Sequence, residues 1–91
     1  MLNHFNANIK LLRKRLRITQ EDVANELNMK RSTLSGLENN VSQPTITALL
    51  TFSNFYKISI DTLLKIELSK LTGGQLSEVI NGNDLYLRGS T

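Results

Sequence analysis

The sequence predicts an all-α fold, with five helices around one small core and a short C-terminal extension. Apolar residues recur at intervals of three and four over most of the chain, and capping residues or helix breakers separate these series. The stretch at residues 19–38, TQEDVANELNMKRSTLSGLE, is typical of two short helices joined by a tight turn. A chain of 91 residues is long enough for one such domain.

The composition argues against an enzyme, a metalloprotein and a membrane protein. The chain has no cysteine, and its single histidine, His4, stands near the N-terminus without a metal-binding or catalytic partner. We find no phosphate-binding glycine loop and no spaced pair of acids, so no catalytic residue, metal or cofactor is predicted. Without a long apolar run or a signal peptide, we expect a soluble cytoplasmic protein.

The first two helices are defined by their caps and apolar stripes. The first is predicted over residues 6–17, with Asn6 as its cap, and Ile18 follows as a core residue. In the second, Thr19 is the predicted cap, and Asn28 ends the helix in a left-handed conformation. The predicted buried faces are Phe5, Ile9, Leu12 and Leu16 in the first helix, and Val23, Ala24 and Leu27 in the second.

The third helix, predicted over residues 31–38, has an unusual outer face. Its apolar stripe consists of Leu34 and Leu37 alone. A solvated surface helix usually carries paired Glu and Lys residues, whereas hydroxyls with an arginine at the N-terminal end suit base edges and phosphates. The alternative is a surface helix in a small bundle. The outer face consists of Arg31, Ser32, Thr33, Ser35 and Gly36.

These motifs resemble the helix-turn-helix of the Cro and phage-repressor family, of the xenobiotic-response-element type. The resemblance covers residues 9–64, including LLRKRLRITQEDVA, the SGLE that precedes Asn39, and ISIDTLL. It implies a lambda-repressor-like domain whose third helix enters the major groove of DNA. It also implies that Arg13 pairs with Glu38 and holds the first helix against the third.

The resemblance and the polar character of the flanking residues together predict a DNA-binding surface. The predicted base-reading residues are Arg31, Ser32, Thr33 and Gly36. The predicted phosphate-contacting or positioning residues are Arg13, Thr19, Gln20, Lys30, Ser35, Asn39 and Gln43.

Two residues depart from the family pattern. Gly36 stands where relatives often have a long base-reading side chain, and glycine costs about 1 kcal/mol of helix stability relative to alanine. It can allow close approach to a thymine methyl or to the backbone. Asn40 replaces the usual glycine, and asparagine tolerates the left-handed conformation that ends the helix.

The charge distribution favours the same surface. Residues 1–44 contain seven Lys or Arg and four Asp or Glu, a net charge of +3, whereas residues 45–91 contain four of each and are neutral. The positive excess therefore lies in the half that contains the proposed reading helix, as expected of a nucleic-acid-binding domain.

Two further helices and a tail complete the prediction. Pro44 places the start of the fourth helix at or after Thr45, and Ser59 is predicted to cap a fifth helix over residues 60–71. The inward face of the fourth helix is predicted to contain Ile46, Leu49, Phe52, Ser53 and Tyr56. Leu50 and Phe55 lie off that face, as edge packing or a dimer surface, and Leu68 and Leu71 are a second dimer candidate.

The domain boundary is predicted at residue 71, and residues 72–91 form an extension or linker. Gly73-Gly74 is interpreted as a stop. The segment QLSEVI then forms a helical turn, or VINGNDLYL forms a hairpin around Asn81-Gly82. The chain end also resembles the start of a join to a further C-terminal domain.

The sequence thus predicts a sequence-specific regulator of transcription, more specifically a repressor, that binds double-stranded DNA as a homodimer. The alternative is a protein-interaction module, such as an antitoxin whose tail binds a partner protein. The apolar residues between Leu68 and Leu87 motivate that alternative.

Overall fold

The computed structural model describes residues 3–80, which contain six α-helices, one 3-10 turn and no strand. The all-α class predicted from the sequence is confirmed. The elements in chain order are α1 (Phe5–Arg15), α2 (Gln20–Glu26), α3 (Arg31–Glu38), α4 (Ile46–Tyr56), α5 (Ile60–Lys65), the 3-10 turn (Leu68–Lys70) and α6 (Gly73–Ile80).

The core is built around α1, which contacts α3, α5 and the 3-10 turn. Phe5 is fully buried at its N-terminal end and packs edge-to-face against Phe52 of α4, with 5.7 Å between ring centroids. Phe52 in turn stacks on Tyr56 at 6.3 Å. Since aromatic pairs bury large areas in well-defined orientations, these rings fix α4 across the start of α1.

Two asparagines of α1 are buried, which the sequence analysis did not predict. The Asn8 amide donates to the carbonyls of Leu63 (2.8 Å) and Ile66 (2.7 Å), and its Oδ1 accepts from the Leu68 backbone N–H at 3.1 Å. Asn6 was predicted to cap α1, and this was wrong, because His4 occupies the cap position and the Asn6 side chain reaches across the core. Buried polar groups are retained when their hydrogen bonds are made.

The C-terminal end of α1 also differs from the prediction. Leu16 was expected on the buried face, but it is 51% exposed because the helix ends at Arg15. Arg17 then adopts a left-handed conformation (φ 58°) that directs the chain into α2.

Helix α4 begins where Pro44 and Thr45 predict, with the Thr45 hydroxyl accepting from the Ala48 N–H at 3.0 Å. Ile46 was predicted to face inward, and this was wrong, because its side chain is 78% exposed in the first turn. Leu50 lies off the buried face as predicted and is 51% exposed, whereas Phe55 is half-buried against the Tyr56 ring.

The fifth helix is shorter than predicted. Ser59 caps it as expected, accepting from the Thr62 N–H at 3.1 Å. The helix ends at Lys65, however, because the backbone becomes extended at Ile66. The carbonyls left at its C-terminal end are satisfied by the buried Asn8 amide rather than by a continued helix. Leu68 is consequently buried in the core (1% exposed) and is not available as a dimer surface.

The sixth helix starts at the glycine pair that was interpreted as a stop, so that interpretation was wrong. Thr72 and Gln75 form a reciprocal capping box: the Gln75 N–H donates to the Thr72 hydroxyl (3.2 Å), and the Thr72 N–H donates to Gln75 Oε1 (2.9 Å). Leu76 and Val79 of α6 are buried in the common core. The helical alternative for QLSEVI is thereby confirmed.

Residues 79 and 80 are helical, which contradicts a hairpin starting at Val79, and the remainder of that predicted hairpin lies outside the described residues. The division at residue 71 stays a prediction. Within residues 3–80, none of the helices has the length and apolar character needed to cross a membrane.

Candidate nucleic-acid interface

Helices α2 and α3 form a closely packed pair with a tight turn between them. The Thr19 hydroxyl accepts from the Asp22 N–H at 3.0 Å, which caps α2 as predicted. At the other end Asn28 is left-handed (φ 56°), and the Met29 N–H donates to the Ala24 carbonyl at 2.9 Å. This left-handed residue ends α2 and lets α3 leave in a new direction within a few residues.

The N-terminal end of α3 is exposed. Lys30 occupies its cap position, and no side chain there bonds to the free N–H groups of the first turn. Helix N-termini carry a partial positive charge and unpaired donors. This end of α3 therefore presents cationic side chains and backbone donors together. Its exposed residues are Lys30, Arg31, Ser32 and Thr33.

The opposite end of α3 is held by a buried ion pair. Arg13 Nε donates to Glu38 Oε2 at 2.7 Å and Arg13 Nη2 donates to Glu38 Oε1 at 3.0 Å, while the Glu38 side chain is 0% exposed. Arg13 Nη1 also donates to the Ile18 carbonyl at 2.9 Å. The hydrogen bond to Glu38 raises the pKa of Arg13 above its usual range. The structure thus contains the clamp between α1 and α3 that the family resemblance implied.

Gln20, at the start of α2, joins the same cluster. Its Nε2 donates to Glu38 Oε1 at 3.1 Å, so a single carboxylate receives donors from both other helices. Tyr56 lies near this pair: burial first, and the negative charge of Glu38 second, raise the pKa of its phenol above the usual value. Among the described residues the Tyr56 hydroxyl has no hydrogen-bond partner.

Gly36 lies against the loop that follows α3. Its carbonyl accepts from the N–H groups of Val41 (2.8 Å) and Ser42 (3.1 Å), and a Cβ at this position would meet Ser42 Oγ at 3.0 Å. Glycine therefore lets the loop fold onto the helix without moving Ser42. The predicted left-handed Asn40 (φ 61°) makes the reversal between them.

Asn6, which sequence analysis treated as a cap, holds this loop. Its amide donates to the carbonyls of Leu37 and, at 3.3 Å, Ser42. Asn6 stands three residues before the buried Ile9, and residues three apart lie on the same face of a helix. This spacing in the sequence indicates that Asn6 lies on the inner face of α1.

The remaining predicted contact residues divide between two regions. Asn39, which follows the last residue of α3, donates from Nδ2 to Ser35 Oγ at 3.2 Å, and its Oδ1 accepts from Lys10 Nζ at 3.3 Å. Gln43 and Thr33 line a groove of about 320 Å³ between the turn before α3 and the start of α4. In residues 3–80 no group of His, Asp and Glu is arranged to hold a metal.

The helix-turn-helix family model (HTH_3) matches residues 9–63, which run from α1 to α5. The chain belongs to this helix-turn-helix family. The match spans the clamp, both helices of the pair and the loop after α3, so the resemblance to the Cro and phage-repressor type is confirmed. The assignment of individual DNA contacts stays a prediction.

Two comparisons agree with this helix-turn-helix membership. The chain is 30% identical over 84 residues to an uncharacterized HTH-type transcriptional regulator, YqaE, of Bacillus subtilis (strain 168); the alignment covers 91% of this chain and 72% of that protein. A chain of the SinR protein/SinI protein complex has the same fold, with a TM-score of 0.66 and 24% identity over 96% of this chain and 82% of that chain.

Proposed function

We propose that this protein binds double-stranded DNA through α2 and α3 and regulates transcription, as a repressor. One observation carries the proposal: the exposed N-terminal end of α3 holds Arg31, Ser32 and Thr33, while its C-terminal end is fixed by the buried Glu38 cluster. A reading helix must hold its side chains in a set position relative to the base edges, and a clamp from two other helices supplies that rigidity.

The roles within the surface follow from exposure and chemistry. Arg31 has a planar fork of donors that suits the O6 and N7 acceptors of guanine, and the two hydroxyls beside it suit bases or phosphates. Lys30 and Gln43 are exposed on either side and would contact phosphates. Arg13, Gln20 and Thr19 already bond within the protein, so their main contribution is to position α2 and α3.

We further propose that two copies bind together. Large apolar side chains are exposed in the loop after α3 and on one side of α4: Val41 (82%), Ile46 (78%) and Leu50 (51%). Ile46 and Leu50 are four residues apart, so they lie on the same side of the helix. Such a surface fits a second copy of the chain, which would cover it.

The burial of residues in the described part of the chain removes most of the support for the antitoxin alternative. Three of the apolar residues that suggested a free, partner-binding tail are in the protein's own core, with Leu68 1%, Leu76 8% and Val79 4% exposed. They are not available to a partner unless the domain opens.

The test is selection from a pool of randomised duplexes, followed by affinity measurements on the enriched sequence. Arg31→Ala should weaken binding to that sequence by about 1–3 kcal/mol and relax the preference at one base pair. Lys70→Ala removes an equal charge from an exposed side chain of the 3-10 turn and serves as the matched control. Equal losses in the two variants, or no enriched sequence with the wild type, would overturn the proposal.

A further inference from the structure

We propose that the groove between α1 and the C-terminal end of α3 is a second DNA-contacting surface, which binds the phosphodiester backbone through Lys10 and Lys14. This inference rests on the proposed function and extends it beyond the helix-turn-helix. The groove has a volume of about 650 Å³ and is open to solvent along its length. It is lined by Asn3, Asn6, Ala7, Lys10, Leu11, Lys14, Glu38, Asn39 and Asn40.

A chain of hydrogen bonds connects the groove to the reading helix. Asn39 Nδ2 donates to Ser35 Oγ at 3.2 Å, and Lys10 Nζ donates to Asn39 Oδ1 at 3.3 Å. The Lys10 ammonium is thereby held beside the exposed side of α3, although Lys10 itself belongs to α1. Lys14 lies one turn further along α1, on the same side of the helix.

The exposed charge of the groove is entirely positive. Its two cations are Lys10 and Lys14, and the single acid among its lining residues is Glu38. The Glu38 side chain is 0% exposed and is bonded to Arg13, so it neither neutralises the lysines nor repels an anion. A groove with two lysines and no exposed acid attracts a polyanion.

The shape favours a strand of nucleic acid over a small ligand. Small-molecule sites enclose most of the ligand and place convergent polar groups around it, whereas this groove is open, and its two ammonium groups are spaced along a helix. Successive phosphates of a DNA strand offer charge at intervals of several ångströms. With α3 in the major groove, the strand beside Asn39 would continue past Lys10 towards Lys14.

The experiment compares Lys10→Gln/Lys14→Gln with wild type and with Lys70→Gln, a lysine of the 3-10 turn that does not line the groove. Each phosphate contact contributes about 0.9 to the slope of log K against log salt concentration. The double variant should therefore lose about 1.8 units of slope, and Lys70→Gln should lose much less. Because phosphate contacts carry little sequence information, cognate and random duplexes should be weakened equally.

Ethylation interference adds a positional readout. A phosphate whose ethylation weakens the wild type, but not the double variant, would be the one bound in the groove. Lys10 is half-buried, so thermal denaturation must show that the variants are folded. Lys14→Gln alone is a second, exposed substitution, and it should lower the slope by about 0.9 units, half of the loss expected for the double variant.

The outcomes separate the two claims. If the wild type selects a sequence and the double variant keeps the salt slope of Lys70→Gln, the groove does not bind DNA and the proposed function stands. If the wild type binds no duplex, both claims fail. If the double variant loses preference between cognate and random duplexes while keeping its slope, the lysines position α3 and the inference is overturned.

Discussion

At the scale of single residues, Glu38 connects three helices through one carboxylate. It belongs to the last turn of α3, its side chain is 0% exposed, and it accepts from Arg13 on α1 and from Gln20 on α2. A buried carboxylate is tolerated only when paired and hydrogen-bonded. The orientation of α3 therefore depends on hydrogen-bond donors contributed by α1 and α2.

Replacing Arg13 by Met should destabilise the fold by about 3–5 kcal/mol, because it leaves the Glu38 charge buried without its main partner. Glu38→Gln should cost less, since the amide carbonyl still accepts a hydrogen bond and no unpaired anion is buried. Urea denaturation measures both. Lys65→Met is the control, because the Lys65–Asp61 pair is 72% and 73% exposed and contributes about 0–1 kcal/mol. Equal losses from Arg13→Met and Lys65→Met would show that the clamp does not hold the fold.

The positions of individual side chains could be predicted only where a local rule applied. The caps Thr19, Thr45 and Ser59 and the left-handed Asn28 follow from residue type and spacing. The roles of the buried Asn6 and Asn8 do not follow from such rules, because the residues they bond to are more than 30 positions away in the sequence. No local pattern states which carbonyls an amide will meet.

At the scale of elements, the prediction failed at the C-terminal end of the described chain. The apolar spacing from Ile60 to Leu71 is compatible with one long helix, yet the chain makes a short helix and a 3-10 turn, because Asn8 bonds the intervening backbone. At residues 73–74 the reciprocal capping box of Thr72 and Gln75 starts α6 in spite of the glycine pair. Tertiary hydrogen bonds and capping residues thus determine where these helices begin and end, which the apolar periodicity alone does not specify.

The sixth helix contributes to the common core, and Leu76→Ala tests how much. Leu76 is 8% exposed, and truncating a buried leucine costs about 2–5 kcal/mol through lost burial and the remaining cavity. Ser77→Ala, one residue further on, removes only an exposed hydrogen bond from Arg15 (2.8 Å) and should cost well under 1 kcal/mol. Thermal and urea unfolding of the two variants make the comparison.

A small loss for Leu76→Ala, similar to that of Ser77→Ala, would favour the boundary at residue 71 predicted from the sequence. A large loss in a single cooperative transition would place α6 within the same folding unit as the helix-turn-helix, and the boundary would then lie after Ile80.

At the scale of the whole molecule, size sets the geometry of the proposed complex. The principal extents are 37 × 29 × 19 Å, and one turn of B-DNA is about 34 Å long. Two copies placed on the same side of the duplex, one turn apart, would therefore be near enough to touch without a linker. The exposed apolar side chains proposed for that contact are Val41, in the loop after α3, and Ile46 and Leu50 on α4.

Inserting half a turn, about five base pairs, between the half-sites of the selected operator should abolish joint binding. The insertion rotates one half-site to the opposite side of the duplex, so two copies of these dimensions cannot touch while both reading helices occupy their grooves. Gel-shift titrations should then show two independent, weaker binding steps in place of one cooperative step. Leu50→Asp on the unmodified operator should have the same effect, because it places a charge in the proposed contact. Unchanged cooperativity with the insertion would mean that the copies associate through a longer or more flexible connection than the described domain provides.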